Sequence, residues 1–382
     1  MIRFKKEDGG EYPKWEIKNI NSLGIFKGGG TPNTNNEEFW NGNIPWISSS
    51  CLYDSSIFKV HIDKFITDKA YQNSATKLID KNSILIVTRV GMGKVAIAPC
   101  DLCTSQDYIS LELNGENNTE YIAYAIKNKL EKEKLKVQGT SIKGITSGEI
   151  KKLQINLPCI EEQKKIADFL SSVDEVIETS EEEIEQLEQQ KKGTMQKIFN
   201  QEVRFKDDNG NQYPEWEAAE FKEIIKTIPS KKYQINSKEY LDIGKYEVVD
   251  QGKQQIIGYS NDESKVYKRV PVIVYGDHTT IVKYRNKEFI VGADGTKLLE
   301  CKNDCNNLKY FYYNIVERNV KQQGYKRHFS DLTNITLDVP CLEEQEKIAD
   351  FLSSMDEAID YAKKELEAWK QLKKGLLQQM FM

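Results

Sequence analysis

Asp294 with Glu300-x-Lys302 is the arrangement in this sequence that comes nearest to a metal-dependent nuclease site. It lacks the second supporting acid that a hard divalent cation needs among its oxygen ligands. Cys100-x-x-Cys103 and Cys301-x-x-x-Cys305 could each supply half of a four-thiolate zinc site. The two pairs stand at non-equivalent places in the repeat described below, so a shared site would cut across its symmetry. The seven cysteines, at 51, 100, 103, 159, 301, 305 and 341, are too sparse for a disulfide framework and read as free thiols in a reducing compartment. His61, His278 and His328 lie far apart in sequence and suit loops better than catalysis. No G-x-x-x-x-G-K-[ST] loop is present to cradle a nucleotide. Gly28-Gly29-Gly30 has neither a buried strand before it nor a helix after it, so it reads as a turn and not as a dinucleotide fingerprint. The Asn-Pro-Pro-aromatic tetrad that adenine methyltransferases place beside a flipped base is absent too. What remains is binding chemistry, namely lysines, arginines, serines and glutamines on glycine-punctuated loops.

The elements that must position those loops are organised by an internal repeat. Residues 158–174, PCIEEQKKIADFLSSVD, return at 340–356 as PCLEEQEKIADFLSSMD, an offset of 182. Residues 3–16, RFKKEDGGEYPKWE, return at 204–217 as RFKDDNGNQYPEWE, an offset of 201. The order of the blocks closes on itself. The first helical block runs into KIFNQEVRFK, while the second reaches QMFM and the chain starts MIRFKK. This predicts a pseudo-two-fold molecule with neighbouring termini.

The helical blocks carry one apolar stripe each. Ile166, Leu170, Val173, Ile177, Ile184 and Leu187 step by threes and fours, with Ser180 in the one gap. Ile348, Leu352, Met355, Ile359, Ala362, Leu366 and Trp369 do the same in the second copy. Such spacing suits a coiled-coil seam. Pro158 and Pro340 stand just before each helix, and Glu161, Glu162, Glu343 and Glu344 favour the positive helix start. Each helix could run about 40 residues, roughly 60 Å. The two are expected to pair antiparallel as a spacer, the alternative being that each packs on its own domain or on a partner chain. Between them lie short β-branched runs, ILIVTRV (84–90), VAIA (95–98), VPVIVY (270–275) and FIVG (289–292), followed by helical stretches at 120–135 and 308–320. These predict mixed domains built on a sheet.

The fold class expected is therefore α+β, with two mixed α/β domains related by a pseudo-two-fold and joined by two long helices in an antiparallel coiled coil. The boundaries are an N-terminal segment 1–20 that pairs with the C-terminus, a first domain 21–157, a central helix 158–203, the segment repeat 204–221, a second domain 222–339 and a C-terminal helix 340–382. At 382 residues, 39% hydrophobic and 30% charged, the chain is long enough for two to three domains and polar enough to be soluble. No run approaches the roughly 18 apolar residues of a membrane span. The charged opening, Met1 to Lys14, argues against a secretory signal and for a bacterial cytoplasmic protein.

The net charge of -5 divides unevenly. Segment 222–339 carries +5 and 21–157 carries +2, whereas 158–221 carries -10 and 340–382 carries -3. A polyanion would meet the two domains and avoid the connectors.

The block L-P-C-I-E-E-Q-K-K-I-A-D-F-L (157–170) and its copy V-P-C-L-E-E-Q-E-K-I-A-D-F-L (339–352) resemble the conserved regions of the specificity subunit of Type I restriction–modification enzymes. G-G-T-P-N-T-N-N-E-E-F-W-N-G-N-I-P-W-I-S-S (29–49) resembles the opening of many target-recognition domains of that family, and R-V-G-M-G-K-V-A-I (89–97) and S-Q-D-Y (105–108) fit further along the same domain. I-I-G-Y (256–259), G-D-H-T-T (276–280) and G-A-D-G-T-K-L-L (292–299) fit a recognition domain of another type. The resemblance covers nearly the whole chain. It implies two target-recognition domains, each reading one half of a split double-stranded DNA sequence, with the coiled coil fixing their separation. It also implies two modification subunits docked on the conserved regions, and restriction/translocase subunits joining to make the nuclease. The chain itself would have no catalytic residues and bind no cofactor or metal, with S-adenosylmethionine, ATP and Mg on its partners. A scaffold that binds partners but no longer reads DNA is the other class of function open to it.

Sequence is read through base edges, while phosphate contacts set register. The candidate DNA contacts in the first domain are Lys27, Gly29 and Thr31 in the loop 27–34, then Ser48, Ser49, Ser50, Arg89, Lys94, Gln106 and Lys143. Gly28 to Gly30 would let the backbone approach closely, and Ser or Gln can read base edges. In the second domain they are Asp277, His278, Thr279, Thr280, Lys283, Arg285, Lys297, Lys326, Arg327 and His328. Tyr325-Lys-Arg-His occupies the same place before the Pro block as Thr140-Ser-Ile-Lys143, which suggests a shared backbone-clamping loop. Solvated surface charge is the competing reading of all these positions. The acidic run Glu181 to Glu188 is either a face for the modification subunit or a solvated helix face.

Overall fold

The computed structural model describes residues 3–115, 117–137, 144–292, 294–324 and 326–381. The chain divides into two compact units, 1–181 with 364–382, and 182–363. Each long helix therefore gives one part of its length to each unit.

The first unit contains strands β1 (Glu16–Asn19), β2 (Gly24–Gly28), β3 (Trp40–Ile47), β4 (Lys64–Ile66), β5 (Leu78–Ile79), β6 (Ile84–Val87), β7 (Val95–Ile97), β8 (Leu102–Thr104), β9 (Tyr108–Leu113) and β10 (Gln154–Leu157). Its helices are α1 (Asp68–Gln72), α2 (Thr119–Val137), α3 (Ser147–Lys151) and the start of α4 (Ile160–Phe199). The second unit repeats the plan with β11 (Glu217–Glu220), β12 (Ile225–Ile228), β13 (Tyr246–Val249), β14 (Gly258–Ser260), β15 (Val266–Tyr267), β16 (Val272–Gly276), β17 (Val282–Arg285), β18 (Phe289–Val291), β19 (Thr296–Cys301) and β20 (Thr336–Val339). Its helices are α5 (Phe221–Ile224), α6 (Leu308–Glu317), α7 (Phe329–Leu332) and the start of α8 (Leu342–Met380).

In each unit two four-stranded sheets stack. Their orders are β2-β9-β6-β7 and β4-β3-β8-β5 in the first unit, and β12-β19-β16-β17 and β14-β13-β18-β15 in the second. One parallel pair sits at the centre of the second sheet each time, β3 with β8 and β13 with β18. The run Ile84-Leu85-Ile86-Val87 is apolar throughout because both faces of β6 are covered. Ile84 and Ile86 face the helices, and Leu85 and Val87 face the other sheet. Ile273 and Tyr275 against Val272 and Val274 repeat this on β16. The pairs β1–β10 and β11–β20 close each domain at its base.

Within each unit the long helices run antiparallel. In the first, Asp174 of α4 pairs with Lys373 of α8, and Glu181 further along α4 pairs with Lys370 at 2.8 Å, so advancing on one helix retreats on the other. In the second, Glu188 pairs with Lys363 at 2.6 Å and Lys191 with Asp356. The acidic run Glu181 to Glu188 is therefore partly engaged within the seam and not wholly solvated.

The stripe needs one correction. Val173, Ile177, Ile184 and Ile359 are buried as a seam requires, but Leu187, Met355, Leu366 and Trp369 are only half-buried. Ile166 and Leu170, like Ile348 and Leu352, join the domain cores, because the first turns of each long helix lie among the buried residues of α2 or α6. Packing on its own domain and pairing in the seam thus occur on successive stretches of the same stripe. Phe4 and Trp15 pack into one cluster with Met380 and Phe381, which places the two ends of the chain in the first unit's core.

Lys127, 4% exposed, hydrogen-bonds the carbonyl of Asp54 beside Lys373 and Asp174. Burial first, and the charge of Lys373 second, push its pKa down to about 8. The unfolded chain then holds more protons than the folded one between pH 8 and an ordinary lysine pKa of about 10.4, so stability rises as pH rises through that window. Lys127→Met should raise stability at pH 7 by about 2 kcal/mol, once the lost carbonyl bond is set against the relieved charge burial, and should flatten the rise above pH 8. Urea titrations at pH 7 and pH 10 read both effects. A variant less stable than the parent at pH 7 would show that the carbonyl bond outweighs the buried charge.

Candidate nucleic-acid interface

A repeated set of polar anchors holds each domain on its helix. Glu162 and Glu344 are fully buried, not solvent-facing helix-start charges. Arg3 reaches Glu162 at 2.7 Å and Trp15 Nε1–H donates to it at 2.8 Å; Arg204 and Trp216 do the same to Glu344, each at 2.8 Å. The hydrogen bonds to these glutamates hold both guanidinium groups above the usual arginine range. Gln163 donates to the Pro158 carbonyl and accepts from the Asn118 backbone N–H; Gln345 does so with Pro340 and Asn307. Asn118-x-x-Tyr121-x-x-Tyr124 and Asn307-x-x-Tyr310-x-x-Tyr313 complete the set. Each Asn side chain caps the backbone of its first Tyr, and the second Tyr hydroxyl donates to Asp174 (2.6 Å) or Asp356 (2.7 Å). The tyrosine motif escaped the sequence reading because it lies inside the dissimilar domains, although its N-x-x-Y-x-x-Y spacing was there to be found.

With the domains so anchored, most candidate contacts converge on one edge of each pair of sheets. In the first unit this edge carries the turns leaving β2, β3, β6 and β8. Arg89 and Gln106 are exposed there, Ser50 is exposed, and Ser48 and Ser49 are half-buried. Ser48 and Ser50 hydroxyls meet at 2.8 Å, and Thr31 hydrogen-bonds Gln106. In the second unit the turn leaving β16 carries His278, Thr279 and Thr280, Lys297 stands at the start of β19, and Lys326 and Arg327 lie beside them. Arg327 is 76% exposed along its side chain and stands 4.0 Å from Asp277. Thr280 sits at φ +56°, an uncommon conformation for a β-branched residue, and is held by its N–H on the Gly276 carbonyl at 2.8 Å.

Several candidates are turned inward. Lys27 is engaged by Glu112 (2.9 Å) and Asp80 (3.1 Å), whose hydrogen bonds raise its pKa against the opposing effect of burial. Gly29 is small for its own chain, since a Cβ there would lie 2.0 Å from the Ser105 carbonyl oxygen. Gly28 closes β2, a strand with no buried residue, so no buried strand precedes the glycine run. Lys94 donates to the Leu52 carbonyl at 2.8 Å. Lys283 is 2% exposed, and burial lowers its pKa. Arg285 is at the far end of β17, paired with Glu247 and over the Phe289 ring. Asp277 is buried, accepting from the Phe329 N–H at 2.9 Å with Lys297 at 3.7 Å. His328 is fully buried and accepts from the Gln323 N–H at 2.9 Å, so it pins the loop from inside. Lys143 and the run Thr140 to Lys143 lie outside the described residues, as does Tyr325.

The enzyme-like fragments come apart. Glu300 is engaged by Tyr267, Lys226 and Arg269, while Asp294 accepts from Gln234. Among the described residues no group of three metal-ligating side chains comes together, and no helix is long and apolar enough to cross a membrane. Burial pushes the Cys301 thiol up to about 12, so it is no ready nucleophile or ligand.

Two domains of one plan, anchored identically and differing at their loop edges, define a frame for reading two different short sequences. The chain belongs to the family of the Type I restriction modification DNA specificity domain, whose model matches residues 12–189 and again 213–371. It is 26% identical over 413 residues to the Type I restriction enzyme MjaVIII specificity subunit of Methanocaldococcus jannaschii, covering 98% of this chain and 94% of that one. It is 32% identical over 235 residues to the MjaIX specificity subunit of the same organism, a match spanning 58% of this chain and about half, 54%, of the relative. The crystal structure of a Type I restriction-modification system S subunit from M. genitalium has the same fold, with TM-score 0.62 at 20% identity over 97% of this chain and 96% of that one.

Proposed function

We propose that this chain is the sequence-reading subunit of a Type I restriction–modification complex, and that each unit reads one half of a bipartite double-stranded DNA target through the loop edge described above. The reading is supported above all by one contrast: the anchors repeat residue for residue, while the loop edges of the two units share almost no side chains. A frame under common constraint with divergent tips is what two different half-sites require, because half-site spacing follows protein geometry. The antiparallel helices set that spacing. The conserved blocks dock two modification subunits, which supply S-adenosylmethionine and adenine N6 methylation. Restriction/translocase subunits bring ATP and Mg, and the whole works in the bacterial cytoplasm. The chain contributes direction, not chemistry.

Single-molecule methylome sequencing of cells expressing this chain with its modification subunit tests the reading. A split motif with N6-methyladenine on both strands is expected. A stable complex that methylates nothing would remove the DNA-reading role and leave a scaffold.

A further inference from the structure

Lys94 and Lys283 do the same task in two domains whose sequences do not resemble each other. The strand orders make β7 the counterpart of β17 and β3 the counterpart of β13. Lys94 immediately precedes β7 and lies opposite Val87, whose N–H reaches the Lys94 carbonyl. Lys283 lies on β17 opposite Val274. From these places both ammonium groups cross to the loop that leaves the central parallel strand of the other sheet. Lys94 Nζ donates to the carbonyl of Leu52, at the end of the loop after β3. Lys283 Nζ donates to the carbonyls of Asp250 (2.9 Å) and Gln254 (2.5 Å) in the loop after β13, with an Asp250 carboxylate oxygen at 3.9 Å.

Burying a lysine costs free energy, which at Lys283, 2% exposed, is offset by two carbonyls with a carboxylate oxygen nearby, while Lys94 is half-buried and bonds one carbonyl. Three donors on one compact cation suit carbonyls that a tight loop turns inward. The outward side of each loop is polar. Ser50 is exposed in the first, and Lys253, Gln254 and Gln255 are exposed in the second. Serine and glutamine read base edges, glutamine pairing in two places with adenine.

We propose that Lys94 and Lys283 are positioning residues that set the shape of two base-reading loops, 48–52 and 250–255, without themselves touching DNA. The proposal rests on the DNA-reading function proposed above. It moves the two lysines from contact to support, and it brings in Lys253, Gln254 and Gln255, which the sequence reading passed over. A support differs from a contact in its signature. Losing a phosphate contact weakens binding evenly across sequences and lowers the salt slope by about one, whereas a misshapen reading loop blurs particular bases.

The test uses the full chain expressed with its modification subunits, read by methylome sequencing, with the unit-two half of the motif identified by exchanging residues 222–339. Lys283→Met keeps the stem and removes the donors. It should relax discrimination at one or more base pairs of the unit-two half by about tenfold or more, since a mismatched pair is worth roughly 1–3 kcal/mol. The other half should stay as sharp as in the parent. Lys94→Met should do the converse. Gln254→Ala and Gln255→Ala, on exposed side chains, keep the test open if Lys283→Met fails to fold, and at least one should relax a base pair in the same half. An unchanged motif in Lys283→Met and Lys94→Met, equal blurring of both halves, or no effect of either glutamine variant would overturn the assignment. A parent chain with no split motif would instead overturn the DNA-reading function on which it rests.

Discussion

Replacing Glu344 by alanine lowers the stability of the second unit by about 3–5 kcal/mol, the range for breaking a buried charge pair by removing one partner. Glu344 is fully buried, and Arg204 lays two nitrogens on its two oxygens, at 3.3 and 2.8 Å. The alanine variant leaves an arginine that is only 13% exposed without its counter-charge, and a Trp216 N–H without its acceptor. The guanidinium keeps its bonds to the Tyr213 and Pro214 carbonyls, so the segment 204–217 loosens from the helix without being released. Glu344→Gln retains an acceptor for Trp216 and should cost less. Urea unfolding with hydrogen exchange resolves the effect by unit, because the equivalent node at Glu162 is untouched. Equal midpoints for parent and Glu344→Ala would mean that the node orients the segment without stabilising it.

Exchanging residues 222–339 for the corresponding segment of another specificity chain should replace one half of the methylated motif and leave the other half intact. A half-site of several base pairs, each worth about 1–3 kcal/mol, makes the switch in preference on the order of a thousandfold or more. The structure states the condition for success. The incoming domain must bring an equivalent of Asn307 and Tyr313, since these bond Gln345 and Asp356 outside the exchanged segment, must carry its own Tyr310–Asp338 bond, and must close with a strand able to pair with Glu217–Glu220. A donor lacking the tyrosines should give an unstable chain. If a donor that keeps them alters both halves of the motif, the units do not read independently.

The frame was legible from the sequence because it is repeated. The doubled Pro-Cys-x-Glu-Glu-Gln block and the two long helices follow from self-similarity and from apolar spacing in threes and fours. The sheets were legible only as apolar runs. Ile84-Leu85-Ile86-Val87 announces a buried strand but not the order of its neighbours, which depends on pairing between residues far apart. The interface was the least legible part. Arg89, Gln106 and Arg327 face outward as a polar surface residue should. Lys27, Lys94, Lys283, Arg285 and His328 are equally polar in sequence and turn inward, because burial of a charge depends on partners such as Glu112, the Leu52 carbonyl or Glu247 that no local pattern reveals. Glu162 and Glu344 failed in the same way, their proximity to a helix start having suggested a role with the helix dipole that the buried arginine fork supersedes.

The seam between the long helices also contains a rule about kinship. Asp174 with Lys373 and Asp356 with Lys191 are the same contact seen from the two repeats, so a helix meeting its own duplicate would satisfy it as well. The next contact inverts its sign: α4 offers the acid at Glu181 and again at Glu188, and α8 offers the base at Lys370 and Lys363. Two copies of α4 laid together in this register would set Glu181 against Glu188, and two copies of α8 would set Lys363 against Lys370. Only an α4 with an α8 satisfies every pair. The side chains are 30–50% exposed, so each is worth under about 1 kcal/mol and fades with salt. The repeat makes the two helices alike, and these four charges tilt the choice modestly toward the unlike partner.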